Sequence, residues 1–480
     1  MRKHLLGAVS FGLALRLFFI WRYPSVAGDS GIYEQLARNW LDHGVYGLWL
    51  NGVLMPVDLR APGYPAFLAA VFALLGRSDV AVRLAQVLVD LLTCLLAGGI
   101  AAWLAPPESA GRARVAAAAV WFAAVCPFVA NYTATPLTEV LATFLTTAAL
   151  LVLLVASEDQ ATDLQRKSRY LSTSSNGLYF LGAFIAGLGS LVRPETPLLL
   201  AAVGLVLCVR WWRSRDWPRL IRAGIFMALG LLLPLLPWAA RNYFILGEVQ
   251  FLAPPHAELP GEPVPRGFYA WTNTWLVRFR DVYLVSWKLD DLPIPIEDVN
   301  PVAFDSPEER ARVAAILERY NENTTFTPAL DAEFSNLARE RTSRHPLRTF
   351  LWVPLQRAVT LWFTPRIEML PYSGHLWPLA QKWDEDRADV LITLSYGFLN
   401  FLFVGLAIAG AWTLWKCSRV QPPAPVDGRR LGLWVIVAFV LVRTAFLTQV
   451  DTPEQRYVVV CFPALFALAA QIWSRPEKAS

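Results

Sequence analysis

Residues 22–65 read RYPSVAGDSGIYEQLARNWLDHGVYGLWLNGVLMPVDLRAPGYP, a polar stretch directly after the first apolar run of the chain. It contains Gly28-Asp29-Ser30, with Tyr33 one helical turn on, and later Arg60-Ala61-Pro62-Gly63-Tyr64-Pro65. After Asp29, the residues Ile32, Tyr33, Leu36, Ala37, Trp40 and Leu41 recur at helical spacing, the pattern of an amphipathic helix lying on a membrane surface. A carboxylate and a guanidinium, each beside residues that fix the backbone, flank this segment. The combination suits chemistry between a hydroxyl and a phosphate-linked molecule at a bilayer.

The composition makes that surface a membrane. The chain has 480 residues, 55% hydrophobic and only 17% charged, with 20 Trp and a mean hydropathy of +0.39. Soluble domains carry about 25% charged residues, and several apolar runs here reach the ~20 residues that cross a bilayer. The expected architecture is an all-α polytopic membrane protein with about ten transmembrane helices, at 5–21, 80–104, 115–130, 136–156, 178–192, 196–211, 221–240, 390–415, 431–448 and 457–473. Pro106-Pro107, Pro136, Pro194 and Pro197 mark helix ends. A net charge of +5 gives no sign of a nucleic-acid partner. Cys94, Cys126, Cys208 and Cys461 fall in apolar spans and Cys417 in a basic loop, so no disulfide framework is expected. Arg2-Lys3, an apolar run and Ser25-Val26-Ala27 imitate a signal peptide, but Arg16 and Trp21-Arg22 fit a retained first helix better.

Orientation follows from the basic loops, which stay inside. With Arg2 and Lys3 inside, so are Arg112 and Arg114; Arg166, Lys167 and Arg169; Arg210, Arg213, Arg215 and Arg219; Lys416, Arg419, Arg429 and Arg430; and Arg475 with Lys478. The first loop (22–79), the turn at Arg193, the segment 241–389 and the loop at 449–456 then face outward together. Two apolar pieces, 64–75 and 347–363, would break this parity if they crossed, and they read as interfacial helices. Ser306-Pro307-Glu308-Glu309 is an N-cap, a proline at the first helical position and acids in the first turn, opening a helix over 306–320. The expected organisation is a transmembrane catalytic module (1–245), an external or interfacial segment with a small α-helical subdomain (246–389), and C-terminal transmembrane helices (390–480). Gln421-Pro-Pro-Ala-Pro425 is a short proline linker.

Each candidate residue has a functional and a plain reading. Asp29 is a catalytic carboxylate or a helix cap. Arg60, on a corner fixed by two prolines and a glycine, is a phosphate ligand or a headgroup anchor. Glu139, at the outer end of the fourth span, is a functional acid or a buried partner of Arg16 or Arg193. Arg193-Pro194-Glu195 forms an outward turn in which the plain reading is a local salt bridge, and Arg456-Tyr457 opens the last span. The histidines have no metal-ligand spacing, and Gly98, Gly99, Gly187 and Gly189 are packing glycines inside spans.

Taken together, the motifs resemble a family. An Asp in the first loop, R-x-P-G-Y-P, P-L-T-E before the fourth span, a glycine-bearing span running into R-P-E, P-W-A-x-R-N at 237–242 and E-Q-R-Y in the last loop are similar to the multi-spanning C-type glycosyltransferases. The similar branch is that of bacterial homologues of protein O-mannosyltransferases and lipid A aminoarabinose transferases. The resemblance implies a membrane glycosyltransferase of the cell envelope, in a bacterial inner membrane with its site facing outward. It would transfer a sugar from a polyprenyl phosphate to a glycan, lipid or protein hydroxyl by inverting displacement. It makes Asp29 the base, with Glu139 as a compensating acid because Ser30 stands where many members have a second carboxylate. Arg60, Arg193 and Arg456 become donor-phosphate ligands, and Tyr33, Tyr64 and Tyr457 line the cavity. No cofactor is required by that chemistry; a divalent metal is compatible with it, but no ligand set supports one. A flippase of a lipid-linked substrate and an inactive lipid-binding relative stay open as alternatives.

The orientation is tested by labelling. Ser306→Cys and Ser168→Cys are expected to react with an impermeant maleimide from opposite sides of the membrane. Labelling of both from one side would overturn the topology.

Overall fold

The computed structural model describes residues 2–105, 111–163, 172–254, 264–420 and 428–474. The chain separates into two compact units. The first comprises Met1–Pro255, Pro365–Val442 and Val459–Ser480, and the second His256–Thr364 with Arg443–Val458.

The first unit begins with α1 (Arg2–Arg22), α2 (Gly28–His43), the strands β1 (Gly47–Leu50) and β2 (Val53–Pro56), and α3 (Gly63–Leu75). The hairpin adds a short two-stranded element to an otherwise helical first loop. Its two-residue loop is Asn51-Gly52, at φ 51° and φ 80°. Positive φ at both positions is what a twisted two-residue hairpin needs, and Asn-Gly meets it at little cost. The register pairs Gly47 with Pro56 and Leu50 with Val53. The hairpin thereby returns the chain from α2 toward Arg60.

Next come α4 (Asp79–Leu104), α5 (Arg112–Val125), the short α6 (Pro127–Ala130) with a 3₁₀ turn over Asn131–Ala134, α7 (Glu139–Asp163), α8 (Ser172–Ser190), α9 (Leu198–Ser214), α10 (Trp217–Leu232) and α11 (Leu236–Leu246). Pro127 ends α5, and the chain bends by 61° there. A proline has no N–H for the ladder and its ring crowds the preceding turn. The bend frees carbonyls, and buried side chains from α4 take them up. Gln86 Nε2 donates to Thr135 O at 2.9 Å and Thr133 O at 3.3 Å, and Arg83 Nε donates to Ala134 O at 2.9 Å. Arg16 of α1 is wholly buried; it pairs with Asp90 of α4 at 2.5 Å and donates to Ala124 O of α5 at 3.0 Å. One guanidinium thus ties three helices. Gly187 of α8 packs so closely that a Cβ there would lie 2.6 Å from Leu231 O, consistent with small residues at helix interfaces in membranes.

The second unit holds α12 (Arg266–Thr272), α13 (Phe279–Leu284), α14 (Pro307–Asn321), α15 (Pro328–Arg344) and a π-helical turn (Arg348–Trp352) that runs into α16 (Val353–Phe363). Phe268, Trp271, Leu317, Tyr320 and Phe334 form its core. As the sequence predicts, Ser306 caps α14, its Oγ accepting from Glu309 N at 3.2 Å. Glu309 goes further and holds the buried Arg341 at 2.6 Å.

The chain closes with α17 (Leu379–Glu385), α18 (Arg387–Val420), α19 (Gly428–Leu447) and α20 (Phe462–Ala469). Among the described residues, seven helices are long and apolar enough to cross a membrane, or eight if the bent α5–α6 pair counts as one. The chain is an integral, multi-pass membrane protein. Ten spans are not confirmed: α8 and α9 occupy the other two predicted positions, and α9 has 17 residues. The helix α3, with 13 residues, is short of a span. Pro106-Pro107, residues 166–169, the linker at 421–425, Arg475 and Lys478 lie outside the described residues.

Gly63 sets how closely α3 approaches the turn after α8. Its N–H donates to Leu191 O at 2.7 Å, and an added Cβ would sit 2.6 Å from that oxygen. Gly63→Ala should therefore lower thermal stability in detergent by about 1–3 kcal/mol, an overpacking cost. Gly31→Ala, with open space at the same position, should be neutral or stabilising. Equal melting of Gly63→Ala and wild type would remove the close approach.

Candidate functional site

The helix α2 does not use Asp29 as its cap. Its N-cap is Ala27. Ser30 Oγ accepts from Ala27 N–H at 3.2 Å and donates to Pro136 O at 2.8 Å, while Ser25 and Thr135 hydroxyls bond to each other. The helix start is thereby fastened to the turn before α7. Asp29, in the first turn, receives Arg60 Nη2 on Oδ1 at 2.7 Å. The corner keeps Arg60 in place: Tyr46 OH donates to Arg60 O at 2.7 Å, and Arg60 Nη1 donates to Leu59 O at 3.1 Å. The two side chains are 30% and 22% exposed, so this pair faces solvent in part. Burial opposes the Arg60 charge, yet Asp29 and Tyr33 beside it together more than offset this and raise the guanidinium pKa.

Tyr33 and Tyr64 stand behind the pair, ring edge to ring face, with centroids 5.1 Å apart. Burial, then the Asp29 charge, pushes the Tyr33 hydroxyl up to about 12. Burial, then Glu139, pushes Tyr64 well above the ordinary phenol value. Both remain neutral at physiological pH and act as hydrogen-bonding groups. Tyr64 OH donates to Gln86 Oε1 at 2.8 Å, which links the site to the glutamine that carries the 131–135 turn.

Glu139 opens α7 and is 1% exposed. Its Oε1 accepts from Arg193 Nη1 at 3.0 Å, and Arg193 Nε meets Glu195 Oε1, also at 3.0 Å. The plain reading of Glu139 as a partner of Arg193 describes this geometry; Arg16 is taken by Asp90. The charges of Asp29, Arg60, Arg193 and Glu139 all act on the Tyr33 hydroxyl, so the two ion pairs share one site. Asp29, Tyr33, Arg60, Tyr64, Glu139 and Arg193 are brought together in the first unit. Arg456 and Tyr457 belong to the second unit, where both meet Glu454: Arg456 Nε at 2.6 Å from Oε2, and Tyr457 OH at 2.6 Å from Oε1.

An apolar cleft of about 550 Å³ is lined in part by Tyr46, which bonds Arg60 O, and by Pro62, Gly63, Leu141, Leu145, Leu188 and Val192. The last six are sequence neighbours of Arg60, Glu139 and Arg193. Trp238 and Arg241 also line it. Arg241 Nη2 donates to Tyr46 O at 2.8 Å, and its guanidinium lies 5.0 Å from the Trp238 ring. Among the described residues, no three His, Cys, Asp or Glu side chains converge to hold a metal ion.

No family model and no curated protein matches the chain. Solved structures do. The oligosaccharyltransferase of Archaeoglobus fulgidus, tethered with an acceptor peptide containing the NVT sequon via a disulfide bond, matches with a TM-score of 0.50 and 13% identity, over 97% of this chain and 49% of that one. The chain shares the fold of that oligosaccharyltransferase over the aligned region. The chain spans about half the length of that oligosaccharyltransferase. ArnT from Cupriavidus metallidurans bound to undecaprenyl phosphate aligns over 97% of this chain and 76% of its own, with a TM-score of 0.36 and 14% identity.

Three further polar residues escape the sequence reading. Gln86 was legible as a polar residue inside an apolar span, and Arg241 stands within the quoted P-W-A-x-R-N motif. Glu368, whose Oε1 accepts from Tyr132 OH at 2.7 Å, had no local signal.

The Glu139–Arg193 pair makes a stability prediction. Removing one member of a buried pair leaves a desolvated charge, at a cost of about 3–5 kcal/mol. Arg193→Met should sharply lower the melting temperature in detergent, and the double variant Arg193→Met with Glu139→Gln should recover part of the loss. No recovery in the double variant would show that the pair does not account for the loss.

Proposed function

We propose that the chain is a membrane glycosyltransferase. It moves a hexosyl or pentosyl group from a polyprenyl-phosphate donor to a hydroxyl of an extracytoplasmic glycan, lipid or protein. The observation that carries this reading is a partly exposed carboxylate–guanidinium pair, Asp29 with Arg60, tied through Tyr46 to an apolar cleft in a membrane protein. The shared fold supports it.

The cleft walls suit an isoprenoid chain, and the cations at its edge suit the phosphate that ends such a chain. Arg60 exchanges its bond to Asp29 for one to a phosphate oxygen, since guanidinium recognises both anions with the same donor fork. A carboxylate released from a guanidinium is a better proton acceptor. Asp29 then takes the proton of the acceptor hydroxyl. The hydroxyl oxygen forms its bond to the anomeric carbon from the face opposite the phosphate. The carbon–oxygen bond to the phosphate breaks, and its electron pair leaves with the polyprenyl phosphate. Arg60 stabilises the charge that develops there. In this reading Glu139 acts through Arg193, holding a second cation near the site. Arg241, in the cleft wall, adds to the positive potential. In this reading the chemistry takes place on the outer face of a bacterial plasma membrane, the side opposite the basic loops.

The test uses purified protein with a panel of radiolabelled polyprenyl-phosphate sugars. Asp29→Asn should fold normally, because Ala27 rather than Asp29 is the cap, and should lower transfer by about 10²–10⁴-fold. Arg60→Ala should lower kcat/KM for the donor about ten- to a hundredfold, the value of a charged hydrogen bond, and leave the acceptor KM unchanged. An active Asp29→Asn enzyme would sink the base assignment. Wild-type donor kinetics in Arg60→Ala would reduce Arg60 to a headgroup anchor.

A further inference from the structure

The second unit contains a cavity of about 780 Å³ whose walls differ in chemistry. One wall is the π-helical turn and the start of α16, where Trp352, Leu355 and Val359 are 57%, 47% and 57% exposed. Leu347 and Phe350 of the same segment are more exposed still. Apolar surface on this scale marks contact with a partner or a membrane. The rest of the lining includes Arg278 and Asn300, and Arg348 joins them from the π-helical turn itself. Arg348 is oriented by Asp305, at 2.5 Å. The indole N–H of Trp275, a residue 3% exposed in this lining, and Arg348 Nε have no hydrogen-bond partner among the described residues. Buried donors without acceptors are few in native structures and call for an explanation.

The cavity's one carboxylate, Asp281, is bonded by Asn300 Nδ2 at 3.2 Å. Burial raises its pKa, an effect that Asn300, Arg278 and Arg280 partly oppose. The lining holds two guanidiniums, Arg278 and Arg348, against this one carboxylate. A hydrophilic ligand would leave the apolar residues uncovered, and an apolar ligand would leave the guanidiniums unsatisfied. An anionic amphiphile suits both. In an integral membrane protein, the abundant molecule of that chemistry is a phospholipid.

We propose that this cavity binds an anionic diacyl phospholipid, with its phosphate at Arg278 and its chains along Trp352, Leu355 and Val359. The committed occupant is a bilayer lipid rather than a glycosyl donor, because two chains side by side cover the broad exposed face of α16 and its leading turn. The site is independent of the transfer chemistry proposed above.

The experiment uses the full chain in bilayers, with photoactivatable phosphatidylglycerol or phosphatidylcholine and mapping of the labelled peptides. Labelling within 347–363 should favour phosphatidylglycerol about fivefold, the surface value of one cation near an anionic lipid. Arg278→Gln should abolish the preference and Arg278→Lys should keep it. Equal labelling by the two lipids, no labelling within 347–363, an unchanged preference in Arg278→Gln, or displacement by equimolar polyprenyl phosphate would each overturn the proposal. Arg278 is exposed, so both variants should fold, and unchanged helicity by circular dichroism confirms that they do.

Discussion

A charge inside apolar surroundings has to be matched, and the first unit is built around how its charges are matched. Arg16 and Asp90 meet in full burial between α1 and α4. Glu139 meets Arg193, which also holds Glu195. Breaking pairs of this kind leaves a desolvated ion, so they fix the helices they join and are poorly suited to exchange partners. Asp29 and Arg60 follow the same rule with a different outcome. Their side chains keep 30% and 22% of their exposure, so water or a phosphate can compete for the guanidinium. Depth separates the two buried pairs from the partly exposed one.

The same demand shapes the backbone. Irregular chain within a membrane body persists only where its N–H and C=O groups find partners in protein or water. The bend at Pro127 and the 3₁₀ turn that follows would leave carbonyls bare. Gln86 and Arg83 project from α4 into this region and accept that task. Gln86 also takes the Tyr64 hydroxyl, so the residue that repairs the broken span positions an aromatic wall of the site. Ser25 and Ser30 complete the fastening from the other side. The first loop is thereby held at both ends, by hydroxyls at the start of α2 and by the Gly63–Leu191 contact at the start of α3.

Hydropathy made the membrane class and the positions of the helices legible, because the bilayer imposes one length and one chemistry on every span. Capping chemistry made α14 legible to within a residue, since Ser306-Pro307 has few other uses. The hairpin was equally visible in Asn51-Gly52, yet its flanks are apolar on both faces and the period-2 signal is faint. The interleaving of residues 443–458 with the second unit could not be read, because tertiary contacts across about a hundred residues leave no local pattern. Asp29 and Arg60 were both legible as site candidates, but their contact at 2.7 Å depends on the hairpin between them. Glu139 was legible only as an ambiguity between a functional acid and an ion-pair partner, and in the fold it meets Arg193.

The exposed pair also bears on where binding energy goes. If a donor phosphate takes Arg60 from Asp29, one charged hydrogen bond is exchanged for another of the same class, each with a net value of about 1.5–3 kcal/mol. The exchange adds little to donor affinity, because what Arg60 gives to the phosphate it has withdrawn from the carboxylate. The change is in the carboxylate, which gains basicity at the moment the leaving group is in place. Interactions that strengthen only on the way to the transition state raise turnover rather than binding. A guanidinium shared between base and leaving group belongs to that kind. In the proposed reaction it would also guard against reaction at the wrong time: without donor, Asp29 stays engaged by Arg60. A lysine at position 60 would hold either anion as a point charge. The planar fork of arginine suits it to pass from carboxylate to phosphate one N–H at a time, so that neither anion is fully released before the other is bound.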